Sequence, residues 1–306
     1  MILPKRLQRG DTVGVIAPAS PPNIEQLKRS FIFLRELGVN VKIGNHVQDI
    51  NGYLAGADED RLHDLHSMFK DPFVHAIFCA GGGYGTGRIA EQINYELIKR
   101  NPKIFWGYSD ITFLHNAIRQ CTGLVTFHGP MLASDVGKEG FDDLSKKMFQ
   151  QLFEPKELHY TEYISPLEVI AEGECVGELV GGNLSLIQSM MGTPYELETE
   201  GKILLIEDVD EEPYRIDGML NQLTMAGKLA SAAGVVVGDF KNAVPTNDKP
   251  SQSLDEVLDH YLKRLEIPVI KGFKIGHCQP HFAVPLGVKA KLSSKTKSLI
   301  IMPGVQ

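Results

Sequence analysis

The stretch KIFWGYSDITFLHNAIRQCTGLVTF (103–127) settles the fold class. KIFWGY (103–108) is an unbroken apolar run and reads as a strand, Asp110 to Gln120 carries a helical period, and LVTF (124–127) reads as the next strand. A strand without polar alternation is buried on both faces, and strand–helix–strand units place their strands in parallel. Working towards the N-terminus, the same rhythm repeats. VHAIFCA (74–80) is a strand, followed by a glycine cluster and another helix. Residues 58–70 form a helix with Asp58, Glu59 and Asp60 in its first turn, where the helix dipole favours acids. VNVKIG (39–44) is a strand, and 23–38 is a helix with Leu27, Phe31, Leu34 and Leu37 on one face and Gly38 as its stop. TVGVIAPAS (12–20) is the first strand, ending in a proline-broken turn. The expectation is an α/β chain with a doubly wound parallel sheet in its first half.

Working towards the C-terminus, residues 141–172 lose this rhythm and carry no clear strand, so the domain junction is expected there. That gives a first domain over 1–145, a linker over 146–170 and a second domain over 171–306. The second half resumes with GECVGELVGG (173–182), KILLIEDV (202–209), a helix across 214–226, GVVVGDF (234–240), a helix near 253–264, and PVIKGFKIGHC (268–278). VKAKL (288–292) and SLIIM (298–302) close it. More strand and more glycine point to a mixed sheet.

The composition excludes several classes. Of 306 residues, 43% are hydrophobic and 23% charged, the profile of a globular chain rather than a disordered, collagenous or coiled-coil one. Lys+Arg number 31 against 38 Asp+Glu, a net charge of −7 without a basic block, which argues against nonspecific nucleic-acid binding. Cys79, Cys121, Cys175 and Cys278 form no C-x-x-C pair, which argues against a thiolate zinc site and for reduced thiols in a reducing compartment. The N-terminus turns polar before any apolar signal core, and no run approaches the ~20 apolar residues of a membrane span. A cytoplasmic location with no membrane association is expected.

Four segments carry chemistry. Ser109 lies at the carboxyl end of a strand and directly before a helix, where ligands bind in open α/β sheets. The Asp110 N–H there can bind an oxyanion, although G-x-S-x-G is not met because Ile111 replaces the last glycine, and on spacing alone a plain helix N-cap is the better account of the serine. CAGGGYGTGRI (79–89) implies a backbone in close approach to a ligand. Gly85, Gly87 and Ala90 fit a loose dinucleotide pattern, but after the wrong strand, and backbone donors beside Ser109 fit better. In KILLIEDVDEEPYRIDGMLNQL (202–223), Glu207, Asp208, Asp210, Glu211 and Glu212 read as a solvated acidic loop, an oxygen-ligand cation site, or an acid behind a histidine. In FKIGHCQPHFAVPLG (273–287), His277 closes an apolar run. Pro280 prevents a helical His277–His281 zinc pair, His63 and His66 lack a third ligand, and Cys278 points away from its neighbour. Ser109, Glu207 and His277 all fall at carboxyl ends of expected strands, which supplies a nucleophile, an orienting acid and a general base.

In chain order, GDTVGVIAPAS, GGGYGTGRI, FWGYSDITFLHNAI, TFHGPM, GELVGGNLSLI, IEDVDEEPYRIDGMLNQL and GFKIGHCQPHFAVPLG resemble the serine LD-carboxypeptidase family, the S66 peptidases. The resemblance runs over residues 5–303 and is nearest to the cytoplasmic murein-peptide branch. It implies a flavodoxin-like N-terminal domain and a smaller β-rich C-terminal domain. It implies Ser109 as nucleophile, His277 as base and Glu207 as acid, an oxyanion hole from the amides of Asp110 and Gly82, and no metal or cofactor. Gly83, Tyr84, His128 and Asn183 are expected pocket residues. The implied substrate is a murein tetrapeptide that loses its terminal D-alanine, and the implied assembly is a homodimer. A sister branch, the microcin-immunity proteins, cleaves a peptidyl-nucleotide; a non-catalytic sensor of cell-wall peptides is the alternative of another class. Gly81 and Gly218 stand where many family members carry arginine.

Overall fold

The structure, a computed structural model, describes residues 1–246 and 250–306. Two compact units emerge: Met1–Lys156 with Phe282–Gly287 and Pro303–Gln306, and Glu157–His281 with Val288–Met302.

The first unit runs β1 (Thr12–Ile16), α1 (Ile24–Glu36), β2 (Asn40–Ile43), α2 (Asp58–Lys70), β3 (Val74–Cys79), α3 (Thr86–Ile89) and α4 (Tyr95–Arg100). It continues with β4 (Ile104–Gly107), α5 (Thr112–Thr122), β5 (Thr126–His128) and α6 (Asp143–Lys147). Local chemistry sets these limits. Asn23 caps α1 by accepting the Gln26 N–H at 3.0 Å, and Gly38 leaves that helix at φ +83°, which a glycine adopts without steric cost. The parallel strands lie in the order β2-β1-β3-β4-β5, the flavodoxin-like arrangement, whose order reverses between β1 and β3. Trp106, Phe78, Phe127 and Phe149 fill the core; the Trp106 and Phe149 rings stand 4.5 Å apart, and Trp106 Nε1 donates to Pro130 O at 2.7 Å. Each such fully buried side chain is worth roughly 1.5–3 kcal/mol of burial.

The second unit contains β6 (Leu158–Tyr160), β7 (Glu168–Ala171), β8 (Glu174–Asn183), α7 (Leu184–Ser189), β9 (Ile203–Val209), α8 (Pro213–Met225), α9 (Lys228–Ser231), β10 (Gly234–Lys241), α10 (Leu254–Leu262) and β11 (Val269–Lys271). The next strand, β12 (Val284–Leu286), belongs to the first unit, and β13 (Lys289–Ser293) and β14 (Ser298–Ile301) to the second. The second sheet has the order β6-β14-β13-β8-β9-β10-β11-β7, with β8 to β11 parallel and the outer pairs antiparallel.

Three expectations differ from this fold. The segment expected as a strandless linker carries β6 and β7, which are short edge strands with exposed His159 and Glu168 and so leave little apolar signal. Residues 282–287, assigned by sequence to the second domain, return to the first sheet, where Val284 pairs antiparallel with His128. Pro285 is tolerated there because β12 is an edge strand. PVIKGFKIGHC yields only the strand Val269–Lys271, because Gly272 at φ +99° turns the backbone out of the sheet. His277 therefore sits in a loop, not at a strand end. No helix among the described residues is long and apolar enough to cross a membrane.

Candidate active site

In the first unit, Ser109 follows β4 by one residue and starts a short 3-10 turn, Ser109–Ile111, that leads into α5. Its φ is +63°, the left-handed region that non-glycine residues rarely enter and that costs of order 1–3 kcal/mol. Surrounding structure overcomes that cost. Asp110, 2% exposed, accepts the Thr86 N–H on Oδ2 at 2.9 Å, while its carbonyl accepts from Thr86 Oγ1 at 2.6 Å. The turn after β4 is thereby tied to the glycine loop after β3. Burial is the main reason the Asp110 carboxyl titrates above its ordinary range.

Gly82 stands against the serine. A Cβ built on Gly82 would lie 3.0 Å from Ser109 Cβ and 3.1 Å from its Oγ, so any larger residue would push this backbone and the serine apart by a few tenths of an ångström. Ser20, from the turn after β1, holds the loop: its N–H donates to Gly82 O at 3.2 Å and its Oγ accepts the Tyr84 N–H at 3.1 Å. Gly83, at φ +111°, has no room for a side chain beside Ser20. Tyr84 is 55% exposed and meets Tyr53 edge-on. His128 is fully buried, with its ring edge-on to Tyr108, whose hydroxyl donates to Asp135 Oδ1 at 3.1 Å. Neither Tyr108 nor Asp135 stood out in the sequence.

In the second unit, Glu207 lies on β9, is fully buried, and accepts on Oε2 from His277 Nδ1 at 2.7 Å. A carboxylate only accepts, so Nδ1 carries the proton of this hydrogen bond, and in the neutral ring the lone pair is then on Nε2. Gly276 makes the approach feasible: its φ is +119°, and a Cβ there would lie 2.5 Å from Glu207 Oε2. Of the three readings of the acidic loop, the acid behind a histidine fits Glu207. Asp210, Glu211 and Glu212 behave as a solvated loop, with Asp210 accepting from Asn242, Glu212 from Thr246, and Glu211 paired with Arg215.

Asp208 is buried and serves α7. It accepts from Asn183 Nδ2 at 2.9 Å, from Ser185 N–H at 2.9 Å, from Ser185 Oγ at 2.8 Å and from its neighbour Val209 N–H at 2.8 Å. Burial, then the charge of Glu207, push its carboxyl up to about 6 in spite of those donors. Asn183 is 3% exposed and caps α7 through Leu186 N–H. Chemically, the first unit offers a strained serine with the Gly82 backbone close against it, and the second offers an imidazole oriented by a buried carboxylate.

The remaining motifs resolve differently. The turn of the loose dinucleotide pattern gives its Thr86 amide to the chain's own Asp110 carboxylate, where a phosphate would otherwise bind. Cys278 Sγ donates to Pro280 O at 3.3 Å, and burial pushes its thiol up to about 12, which suits a core thiol rather than a nucleophile. His66 Nε2 accepts the Asn94 N–H at 2.9 Å. His63 instead faces His46 and Asp64, and His46 also groups with Asp49 and Asp60. There His46 donates to Asp49 at 2.7 Å, which is the leading cause of its raised pKa, and both Asp64 oxygens accept backbone amides, from Asn45 and His46. Hydrogen bonds and close contacts among these imidazoles, carboxylates and backbone amides satisfy these groups.

Comparison with known proteins gives one family. The model of the LD-carboxypeptidase N-terminal domain matches residues 13–129, and that of the C-terminal domain matches residues 176–292. The chain is 56% identical to a probable murein peptide carboxypeptidase of Bacillus subtilis, over 99% of this chain and 95% of that one. Among solved structures it is similar to an MccF-like protein from Bacillus anthracis, with a TM-score of 0.89, 30% identity, and coverage of 99% of this chain and 100% of the other. A muramoyltetrapeptide carboxypeptidase from Oxalobacter formigenes superposes with a TM-score of 0.85 at 28% identity, covering 96% of this chain and 100% of that one. The chain therefore belongs to the LD-carboxypeptidase family, peptidase family S66, and is a hydrolase of the serine carboxypeptidase class.

Proposed function

We propose that Ser109, His277 and Glu207 act as nucleophile, general base and orienting acid in the hydrolysis of murein peptides, releasing a terminal D-alanine across an L,D bond. The observation that carries this reading is the buried Glu207–His277 pair at 2.7 Å, which puts the imidazole in the tautomer a general base needs. Ser109 Oγ attacks the carbonyl before D-alanine as His277 Nε2 takes its proton. Glu207 stabilises the imidazolium that forms. The amides of Asp110 and Gly82 receive the oxyanion, each worth roughly 3–4 kcal/mol in the transition state. His277 then protonates the leaving amine, and water, activated by the same imidazole, hydrolyses the acyl-enzyme. Every proton in this cycle moves through His277, so no metal or cofactor is required.

The likeness to an MccF-like protein favours a second substrate class, a peptidyl-nucleotide amide cleaved by the same groups. The murein reading takes precedence because the relative with 56% identity is named for a murein peptide. The four free cysteines support action in a reducing compartment, the cytoplasm, and a homodimer is the assembly we assign. The test is side-by-side product analysis on a murein tetrapeptide and a peptidyl-nucleotide. Loss of alanine from the tetrapeptide at the higher kcat/KM supports the reading; cleavage of the nucleotide substrate alone overturns it.

A further inference from the structure

Arg61, on the first turn of α2, is 1% exposed, although arginine is rarely buried without a specific set of partners. Its Nη1 donates to Pro18 O at 2.7 Å and to Gly85 O at 2.8 Å, and its Nη2 is paired with Asp58. Asp58 is held in turn by Arg88 of α3, through Nε at 3.1 Å and Nη2 at 2.8 Å. A single guanidinium thus joins the turn after β1 to the glycine loop after β3. Gly85 must be glycine here, since a Cβ would fall 2.8 Å from Nη1 and 2.6 Å from Leu54 Cδ2, and its φ is +126°.

The two carbonyls bracket the backbone that approaches Ser109. Two residues beyond Pro18, Ser20 binds Gly82 O and Tyr84 N–H; next to Gly85, Thr86 binds Asp110. The segment 82–86 is therefore fixed at both ends, and Arg61 binds a backbone carbonyl beside each fixing point, Pro18 O near Ser20 and Gly85 O next to Thr86. A core arginine serving stability alone has no need to choose carbonyls from these two loops.

We propose that Arg61 is a positioning residue for the reaction: by holding Pro18 O and Gly85 O it sets where the Gly82 amide stands relative to Ser109. The assignment rests on the proposed roles of Ser109 and Gly82. A lysine ammonium carries its donors on one atom and lacks the planar fork that here divides the carbonyls and the carboxylate between two nitrogens. A displacement of an oxyanion donor by about 1 Å lowers turnover by up to ~100-fold, while ground-state binding by the rest of the substrate persists.

The test uses Arg61→Lys, with two rates measured beside wild type: alanine release from murein tetrapeptide, and phosphonylation of Ser109 by a fluorophosphonate, with Ser109→Ala as the blank. The expected result is a folded protein, with its Trp106 near-ultraviolet signal retained, a kcat lower by roughly ten- to a hundredfold and KM within about twofold. Phosphonylation slows by a similar factor. A folded Arg61→Lys with wild-type kcat, or with only KM changed, overturns the proposal. If Arg61→Lys does not fold, Asp58→Asn replaces it, because without the Asp58 carboxylate the guanidinium is no longer held in register with Pro18 O and Gly85 O. A several-fold loss of kcat at constant KM then supports the proposal, and a wild-type kcat overturns it. Wild-type protein that phosphonylates at Ser109 but releases no alanine defeats the substrate reading alone, and the Arg61 assignment is then decided by the phosphonylation rates.

Discussion

Glu207 Oε2 and His277 Nδ1 lie 2.7 Å apart although 70 residues separate them in the chain, and the carboxylate is fully buried. Such a pair fixes which ring nitrogen carries the proton. Glu207→Gln keeps the shape but allows the amide to donate to Nδ1, which favours the wrong tautomer. kcat is expected to fall roughly 10³–10⁴-fold with KM little changed, read by steady-state kinetics. A kcat within threefold of wild type, on the order of 0.7 kcal/mol, would remove Glu207 from its assigned role.

Gly82→Ala tests the close approach to Ser109. The added Cβ meets Ser109 Cβ at 3.0 Å, Oγ at 3.1 Å and Met131 Cε at 3.2 Å, so loop and serine must separate by a few tenths of an ångström. Turnover is expected to drop at least about tenfold, with a stability loss of ~1–3 kcal/mol from overpacking. Denaturant titration and kinetics on the same preparation separate the two effects.

Asp208 gives a pH signature. Its folded pKa of about 6 lies above the ordinary aspartate value, chiefly through burial, so the folded state binds a proton that the unfolded chain has released. The stability it contributes is fully present below about pH 4 and is lost as pH rises to about 6. The stability difference between wild type and Asp208→Asn should therefore shrink across that interval and be level above about pH 7. Guanidinium unfolding at stepped pH measures it; parallel curves would contradict the assignment.

Gly218 lies exposed inside α8, and a Cβ there would meet nothing within 4 Å. The helix gives up roughly 0.8–1 kcal/mol for that glycine. Gly218→Ala should stabilise the protein by about that amount, seen as a raised midpoint of chemical unfolding. A lowered midpoint would mean that the glycine has a packing role.

Legibility followed apolar periodicity. Helix Asp58–Lys70 and strand Ile203–Val209 stand almost where their patterns put them, because each is long and one-sidedly or wholly apolar. The short edge strands Leu158–Tyr160 and Glu168–Ala171, and helix Tyr95–Arg100, carry too few apolar residues to announce themselves. The return of Val284–Leu286 to the first sheet depends on a pairing with Phe127 and His128 that no local pattern encodes. At the site, Ser109, Glu207 and His277 were visible as polar residues closing apolar runs. Arg61 was not, since on α2 it reads as one more charge on an acidic helix, and only the burial of its guanidinium between two loops distinguishes it. His128 and Asn183, expected in the pocket, are buried, and Asn183 caps a helix through Oδ1 while its Nδ2 donates to Asp208.

The central claim is that Ser109 is the nucleophile of a D-alanine-releasing hydrolase. Mass-spectrometric product analysis on murein tetrapeptide, wild type beside Ser109→Ala, tests it most directly. Loss of one terminal alanine is expected with wild type and none with a folded Ser109→Ala. Equal release by both proteins would contradict it.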